Sequence, residues 1–97
     1  MVQVEVARAA SEDLDSLIKT LSLPSDTLER VRRSLQPLTR FPRLGPELTG
    51  AWAGFRFILG PWRWLLIVYV FIEDRERVVV VTMQDARSSQ SPTSQGA

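Results

Sequence analysis

Apolar and polar residues alternate along the chain with two different periods, and these periods predict its secondary structure. Valines alternate with polar residues over Val2–Val6, which is typical of a half-buried strand. Leucines at helical spacing follow Ser11, which is expected to be the N-cap of a first helix with an acidic first turn. A second helix is predicted after Pro24, and Pro37 is expected to end it early.

The second half of the chain is predicted to form three strands. A loop rich in proline and glycine covers Thr39–Ala53, and a short alternating strand covers Phe55–Phe57. The run Trp62–Ile72 is apolar on both faces, so we expect it to be a central strand. A charged hairpin loop over Glu73–Glu76 then leads into the last strand, Val78–Met83.

The order of these elements indicates the fold class. It is β-α-α-β-β-β, which predicts an α+β domain with a helical hairpin packed on one face of a small, largely antiparallel sheet. A chain of 97 residues with 44% hydrophobic residues fits one such domain, over residues 1–87. Residues 88–97 have no apolar anchor and are expected to form a flexible C-terminal tail.

The chain contains neither cysteine nor histidine, and this limits its chemistry. It has no disulfide, no thiolate nucleophile and no cysteine-based zinc site. It also lacks the side chain that most often binds metals and serves as a general base near neutral pH. We therefore expect no cofactor and no metal, and any catalysis must use Arg, Lys, Tyr, Asp, Glu or hydroxyl groups.

A net charge of +1 conceals an uneven distribution of charge. Residues 28–63 contain seven basic and two acidic side chains, whereas the flanking segments are slightly acidic. Eleven of the twelve basic residues are arginine, whose forked guanidinium suits phosphate and carboxylate. This arginine-rich segment is either a footprint for an anionic partner or a solvated helix face.

The sequence shows no targeting or membrane signal. Its N-terminus lacks the basic and apolar regions of a secretory signal peptide. The longest apolar run, Trp62–Ile72, is much shorter than the roughly 20 residues that cross a bilayer as a helix. We expect a cytoplasmic protein without a membrane partner.

Several segments from Phe41 onwards together carry a resemblance to a known family. They are the connection Phe41–Gly50, the strand residues Phe55–Phe57, the turn Gly60–Arg63, the strand Leu66–Tyr69, and Val78–Val81 running into Asp85, Ala86 and Arg87. With the order of elements, they resemble the RelE/ParE superfamily of small toxins from prokaryotic toxin–antitoxin systems. The resemblance covers nearly everything from Val2 to Ser89.

The resemblance implies a type II toxin that a cognate antitoxin protein holds inactive. RelE-like members cleave messenger RNA in the ribosomal decoding site, whereas ParE-like members inhibit DNA gyrase without cleaving RNA. Inhibition of translation by ribosome-associated mRNA cleavage, a metal-independent endoribonuclease activity, is the leading expectation. Gyrase inhibition is the alternative, and a degenerate toxin that only binds its antitoxin is a third possibility.

Cleavage by the RNA's own 2′-hydroxyl needs a base, an acid and cations that stabilise charge on the phosphate. The candidate catalytic residues are Arg56, Arg63, Arg87 and Asp85, and the three arginines are expected to converge on one face near strand ends. The candidate RNA-binding residues are Arg40 and Arg43. Tyr69 is a further candidate for proton transfer, but we expect it to lie in the core.

Each candidate also has a structural interpretation. Arg63 lies between Trp62 and Trp64, where a cation–π contact would occupy it. Asp85 and Arg87 are spaced so that they would pair and fasten the end of the last strand. The chain also lacks the strand lysines and the late tyrosine that RelE-like nucleases often carry. Acid–base groups are therefore poorly supplied, which favours the gyrase alternative.

Overall fold

The computed structural model describes residues 1–88. Its strands are β1 (Gln3–Val6), β2 (Arg56–Leu59), β3 (Leu65–Ile72) and β4 (Arg77–Asp85), and its helices are α1 (Arg8–Leu21) and α2 (Thr27–Leu35). Short 3₁₀ turns cover Gln36–Thr39, Gly50–Trp52 and Glu73–Arg75. The predicted order β-α-α-β-β-β is therefore confirmed. Beyond Ser88, the predicted tail lies outside the described residues.

The four strands form one mixed sheet in the order β1-β4-β3-β2. β1 is parallel to β4, while β4 with β3 and β3 with β2 are antiparallel. β3 lies inside the sheet, as its two apolar faces predicted. A bulge in β4 shifts the register, because Val68 pairs with Thr82 whereas Tyr69 pairs with Val80.

Both faces of the sheet are covered, and this explains why β3 is apolar throughout. On one face Leu65, Ile67 and Tyr69 pack with buried residues of the helical hairpin, including Leu14 and Val31. The prediction of a helical hairpin on one face of the sheet is confirmed. On the other face a second cluster forms around three buried residues, Leu48, Leu66 and Val68, with Trp52, Phe55, Phe57, Val81 and Ala86 packed against it. The loop that precedes β2 therefore supplies part of the second layer.

The predicted start of the first helix is wrong. α1 begins at Arg8 with Ala7 as its N-cap, and the Ser11 amide already donates to the Ala7 carbonyl at 3.0 Å. Arginine and alanine are strong helix formers, so the helix extends upstream of the polar residue that looked like its cap. The second helix ends at Leu35, and Pro37 lies in the 3₁₀ turn after it, as expected.

The boundaries of the last two strands also differ from the prediction. β3 starts at Leu65, because the Leu65 amide closes a turn onto the Trp62 carbonyl at 3.1 Å. Arg63 therefore lies in the turn between β2 and β3. β4 extends to Asp85, which pairs with Leu65. The longer β4 places Asp85 within the sheet.

Candidate functional site

Three of the predicted catalytic residues lie at one end of the sheet, where β2 ends, β3 begins and β4 ends. Leu65 pairs with Asp85, and the Ala86 amide donates to the Trp64 carbonyl at 2.6 Å. Arg63 immediately precedes Trp64, and Arg87 immediately follows Ala86. We call the surface formed by Arg63, Asp85 and Arg87 the sheet-end surface.

Asp85 and Arg87 form a two-pronged ion pair. The Arg87 Nε and Nη2 donate to the two carboxylate oxygens of Asp85 at 2.9 and 2.8 Å, and the Arg87 amide donates to Oδ1 at 2.9 Å. These hydrogen bonds lower the pKa of Asp85 and raise that of Arg87. Asp85 is therefore ionised at neutral pH, which makes it unsuitable as a general acid and weak as a base.

Arg63 is exposed in the turn before β3. Within residues 1–88 it has no ion-pair partner and no side-chain hydrogen bond. The cation–π contact suggested by its tryptophan neighbours is also absent from the described part of the chain, where other arginines contact those rings. Arg63 is thus a cation that an incoming anion can reach.

The two tryptophans beside Arg63 stack on each other and contact two other arginines. The Trp62 and Trp64 ring centroids are 5.6 Å apart with the rings 7° from parallel. The Cζ of Arg30 lies 5.8 Å from the Trp62 centroid, and that of Arg87 lies 5.0 Å from the Trp64 centroid. The contacts run from Arg30 in α2 through the two tryptophans to Arg87, so they link α2 to the sheet-end surface. An RNA base would compete with the arginines for contacts with these rings.

Arg56 does not join the other two arginines, so the expected convergence of all three is wrong. Arg56 pairs with Tyr69 in the neighbouring strand. Tyr69 lies four residues, or about 13 Å, along β3 from Leu65 at the sheet end. The Arg56 Nη1 donates to the Gly45 carbonyl at 2.8 Å and to the Arg43 carbonyl at 3.4 Å. Its Nη2 is 3.2 Å from a carboxylate oxygen of Glu47. The geometry favours a role in holding the loop that precedes β2.

Tyr69 holds the same loop from inside the core. It is fully buried, and its hydroxyl accepts a hydrogen bond from the Gly45 amide at 3.0 Å. We call Arg56, Tyr69 and the loop residues 43–47 the loop clasp. Burial raises the pKa of Tyr69 above its usual value of 10.0. As expected, Tyr69 belongs to the core, and it is out of reach of a substrate.

The raised pKa of Tyr69 predicts a loss of stability in alkali. Above about pH 10 the unfolded chain releases the phenol proton while the folded chain keeps it, so the free energy of unfolding falls as pH rises. Since Tyr69 is the only tyrosine, phenolate absorbance reports on this group alone. We expect the absorbance to rise at higher pH in the folded protein than in urea. In Tyr69→Phe the free energy of unfolding should fall less steeply as pH rises in alkali. An unchanged slope would show that other groups cause the loss of stability.

The two predicted RNA-binding residues lie towards the opposite end of the sheet. Arg43 forms an ion pair with Glu73, which follows the last residue of β3, and its Cζ is 5.2 Å from the Phe71 ring centroid. The length of β3, about 23 Å, separates this end from the sheet-end surface. Arg40 is exposed at the end of the 3₁₀ turn after α2. Arg40 and Arg43 thus form no single surface with Arg63 and Arg87.

The described residues include neither a candidate metal site nor a membrane-spanning helix. Residues 1–88 contain no cluster of three or more acidic side chains placed to hold a metal ion. In the same range, neither helix has the length and apolar character needed to span a bilayer.

Solved structures provide the comparison that identifies the fold. No protein-family model and no curated protein matches the sequence. A chain of the RelBE2 toxin–antitoxin complex from Mycobacterium tuberculosis matches with a TM-score of 0.67 and 22% identity, over 87% of this chain and 96% of that chain. A chain of the chromosomal ParDE system from P. aeruginosa matches with a TM-score of 0.68 and 12% identity, over 88% and 96%.

The isolated RelE toxin from E. coli matches with a TM-score of 0.63 and 17% identity, over 93% of this chain and 89% of that chain. This chain has the RelE/ParE toxin fold. The fold that the sequence resemblance implied is thereby confirmed. Because RelE and ParE structures match it about equally well, the RelE/ParE fold by itself does not select a cellular target.

Proposed function

We propose that this chain is the toxin of a type II toxin–antitoxin system and that it inhibits translation by cleaving ribosome-associated mRNA in the cytoplasm. The toxin assignment is supported by structural neighbours that are toxin–antitoxin complexes, including RelBE2 and the intact E. coli RelBE complex. The proposed partner is accordingly a cognate antitoxin protein. The observation that carries the RNA activity is the position of Arg63 and Arg87 at one exposed end of the sheet.

The sheet-end surface suits a phosphodiester that reacts through its own 2′-hydroxyl. Two guanidinium groups would bind the phosphate oxygens and stabilise the charge that develops on them in the transition state. Asp85 is the carboxylate at this surface, and in its ionised form it can only accept a proton. No described side chain of the sheet-end surface donates a proton readily at neutral pH, so catalysis would rest mainly on charge stabilisation.

Gyrase inhibition is the second candidate, and the same shortage of acid–base groups favours it. Tyr69 is buried, Arg56 is held by the loop clasp, and Asp85 is paired with Arg87. A protein that inhibits by binding needs none of these groups for proton transfer. The exposed arginines would then contact acidic side chains of the target.

Induction of the chain without its antitoxin separates these candidates. Protein synthesis, mRNA ends and plasmid supercoiling are followed in the same cells. We expect an early stop of translation with mRNA cuts phased to codons. Loss of supercoiling with intact mRNA would instead establish gyrase inhibition, and unimpaired growth would contradict both activities and leave antitoxin binding alone.

A further inference from the structure

The guanidinium of Arg87 is already paired with a carboxylate of the same chain. Its Nε and Nη2 contact the two oxygens of Asp85 in the paired geometry that arginine also offers to a phosphate. Arg87 nevertheless stays accessible, since its side chain is 63% exposed, whereas that of Asp85 is only 23% exposed. A phosphate that reaches Arg87 therefore has to compete with Asp85.

We propose that Asp85 acts as an internal phosphate mimic: its carboxylate blocks Arg87 by occupying the edge of the guanidinium that would bind a phosphate. This block weakens the binding of phosphodiesters at the sheet-end surface. The inference concerns regulation of the site in the proposed function and rests on that function for its biological meaning. Its physical content, an anion site blocked by a neighbouring carboxylate, is testable separately. The ligand class is the phosphate backbone of single-stranded RNA.

The position of Asp85 makes the block persistent. Asp85 is the last residue of β4, and its Oδ1 also accepts the Arg87 amide at 2.9 Å. If the guanidinium turns to a phosphate, this amide still holds the carboxylate at the site. The ionised carboxylate then repels the bound phosphate, so the block includes both competition and repulsion.

Other contacts allow Arg87 to exchange partners. An exposed ion pair contributes little stability, so a phosphate can displace it. Trp64 provides a ring surface at 5.0 Å that holds Arg87 independently of Asp85. Arg63, in the turn before β3, adds a second exposed cation without an ion-pair partner in residues 1–88, which raises the positive charge at this end of the sheet.

The chain offers a matched control for Asp85. Asp26 forms an ion pair with Arg30 at 2.9 Å, and Arg30 contacts Trp62 as Arg87 contacts Trp64. Both carboxyl groups have lowered pKa values, caused mainly by their arginine partners. Asp26→Asn and Asp85→Asn therefore change the net charge equally and release similar arginines. Only Asp85→Asn releases one at the sheet-end surface.

The test is fluorescence anisotropy of the full chain with a labelled oligouridine RNA, without ribosomes, at several salt concentrations. We expect Asp85→Asn to tighten binding about fivefold and to steepen the salt dependence by about 0.7, the slope expected for one further phosphate contact. Asp26→Asn should change affinity by less than about twofold. Adding Arg87→Ala to Asp85→Asn should remove the gain, and thermal unfolding checks that every variant is folded.

The possible outcomes are distinct from those that test the proposed function. If Asp26→Asn tightens RNA binding as much as Asp85→Asn does, the effect comes from net charge and the proposed block of Arg87 by Asp85 is wrong. Unchanged or absent RNA binding in folded Asp85→Asn would overturn it as well. If the cells lose supercoiling while Asp85→Asn tightens RNA binding through Arg87, the block stands and the proposed mRNA cleavage is wrong.

Discussion

Gly45→Ala is expected to destabilise the protein strongly. A Cβ at this position would lie 2.0 Å from the Phe57 carbonyl oxygen and 2.8 Å from its carbon, which are backbone atoms of β2. The loop cannot shift freely, because the Phe57 amide donates to the Pro46 carbonyl at 3.3 Å and the loop clasp holds Gly45 itself. We expect a loss of about 3 kcal/mol in the free energy of unfolding, at the upper end for overpacking.

Urea denaturation measures this loss, and Gly60→Ala is the matched control. A Cβ at Gly60 would meet side chains instead, with the Leu65 Cδ2 at 2.9 Å as the nearest atom. A side-chain terminus can rotate away, so we expect a loss of about 1 kcal/mol or less. If Gly45→Ala has the stability of the original chain, the loop moves away from β2 at little cost and the loop clasp is not a rigid element.

Periodicity was sufficient to predict most of the fold, because α1, α2, β3 and β4 each bury a regularly spaced set of residues. The two apolar faces of Trp62–Ile72 placed that strand inside the sheet, and β3 does lie there. Periodicity did not predict the loop clasp, since Gly45 lies in an irregular loop and its partner Tyr69 is 24 residues further along the chain. It also misplaced the start of α1, where alanine and arginine extend the helix without a side-chain cap.

The candidate site was predictable only in part, for a geometric reason. Asp85 and Arg87 are two residues apart after a predicted strand, so their pairing was visible as an alternative in the sequence. Arg56 looked equivalent to Arg63, yet the register of β2 and β3 separates them along the sheet. The contact between Arg30 and Trp62 joins α2 to a distant turn, and helical spacing alone gave no sign of it.

Arg87→Ala is expected to abolish toxicity while the protein remains folded and still binds its antitoxin. The side chain is exposed, so losing its ion pair and its ring contact should change the stability little. An anionic target, by contrast, loses a forked cation at the sheet-end surface, and Arg63→Ala should weaken the same interaction. We expect RNA affinity to fall by about tenfold or more.

Arg75→Ala is the control for Arg87→Ala, because Arg75 is an exposed cation in the turn between β3 and β4, at the opposite end of the sheet. Its removal changes the net charge equally but leaves the sheet-end surface intact. Growth after induction, thermal unfolding and antitoxin capture are measured for each variant. Full toxicity of folded Arg87→Ala would show that the target is bound elsewhere. An unfolded Arg87→Ala would show that the pair with Asp85 fastens β4, and equal loss of toxicity in Arg75→Ala would assign the effect to overall charge.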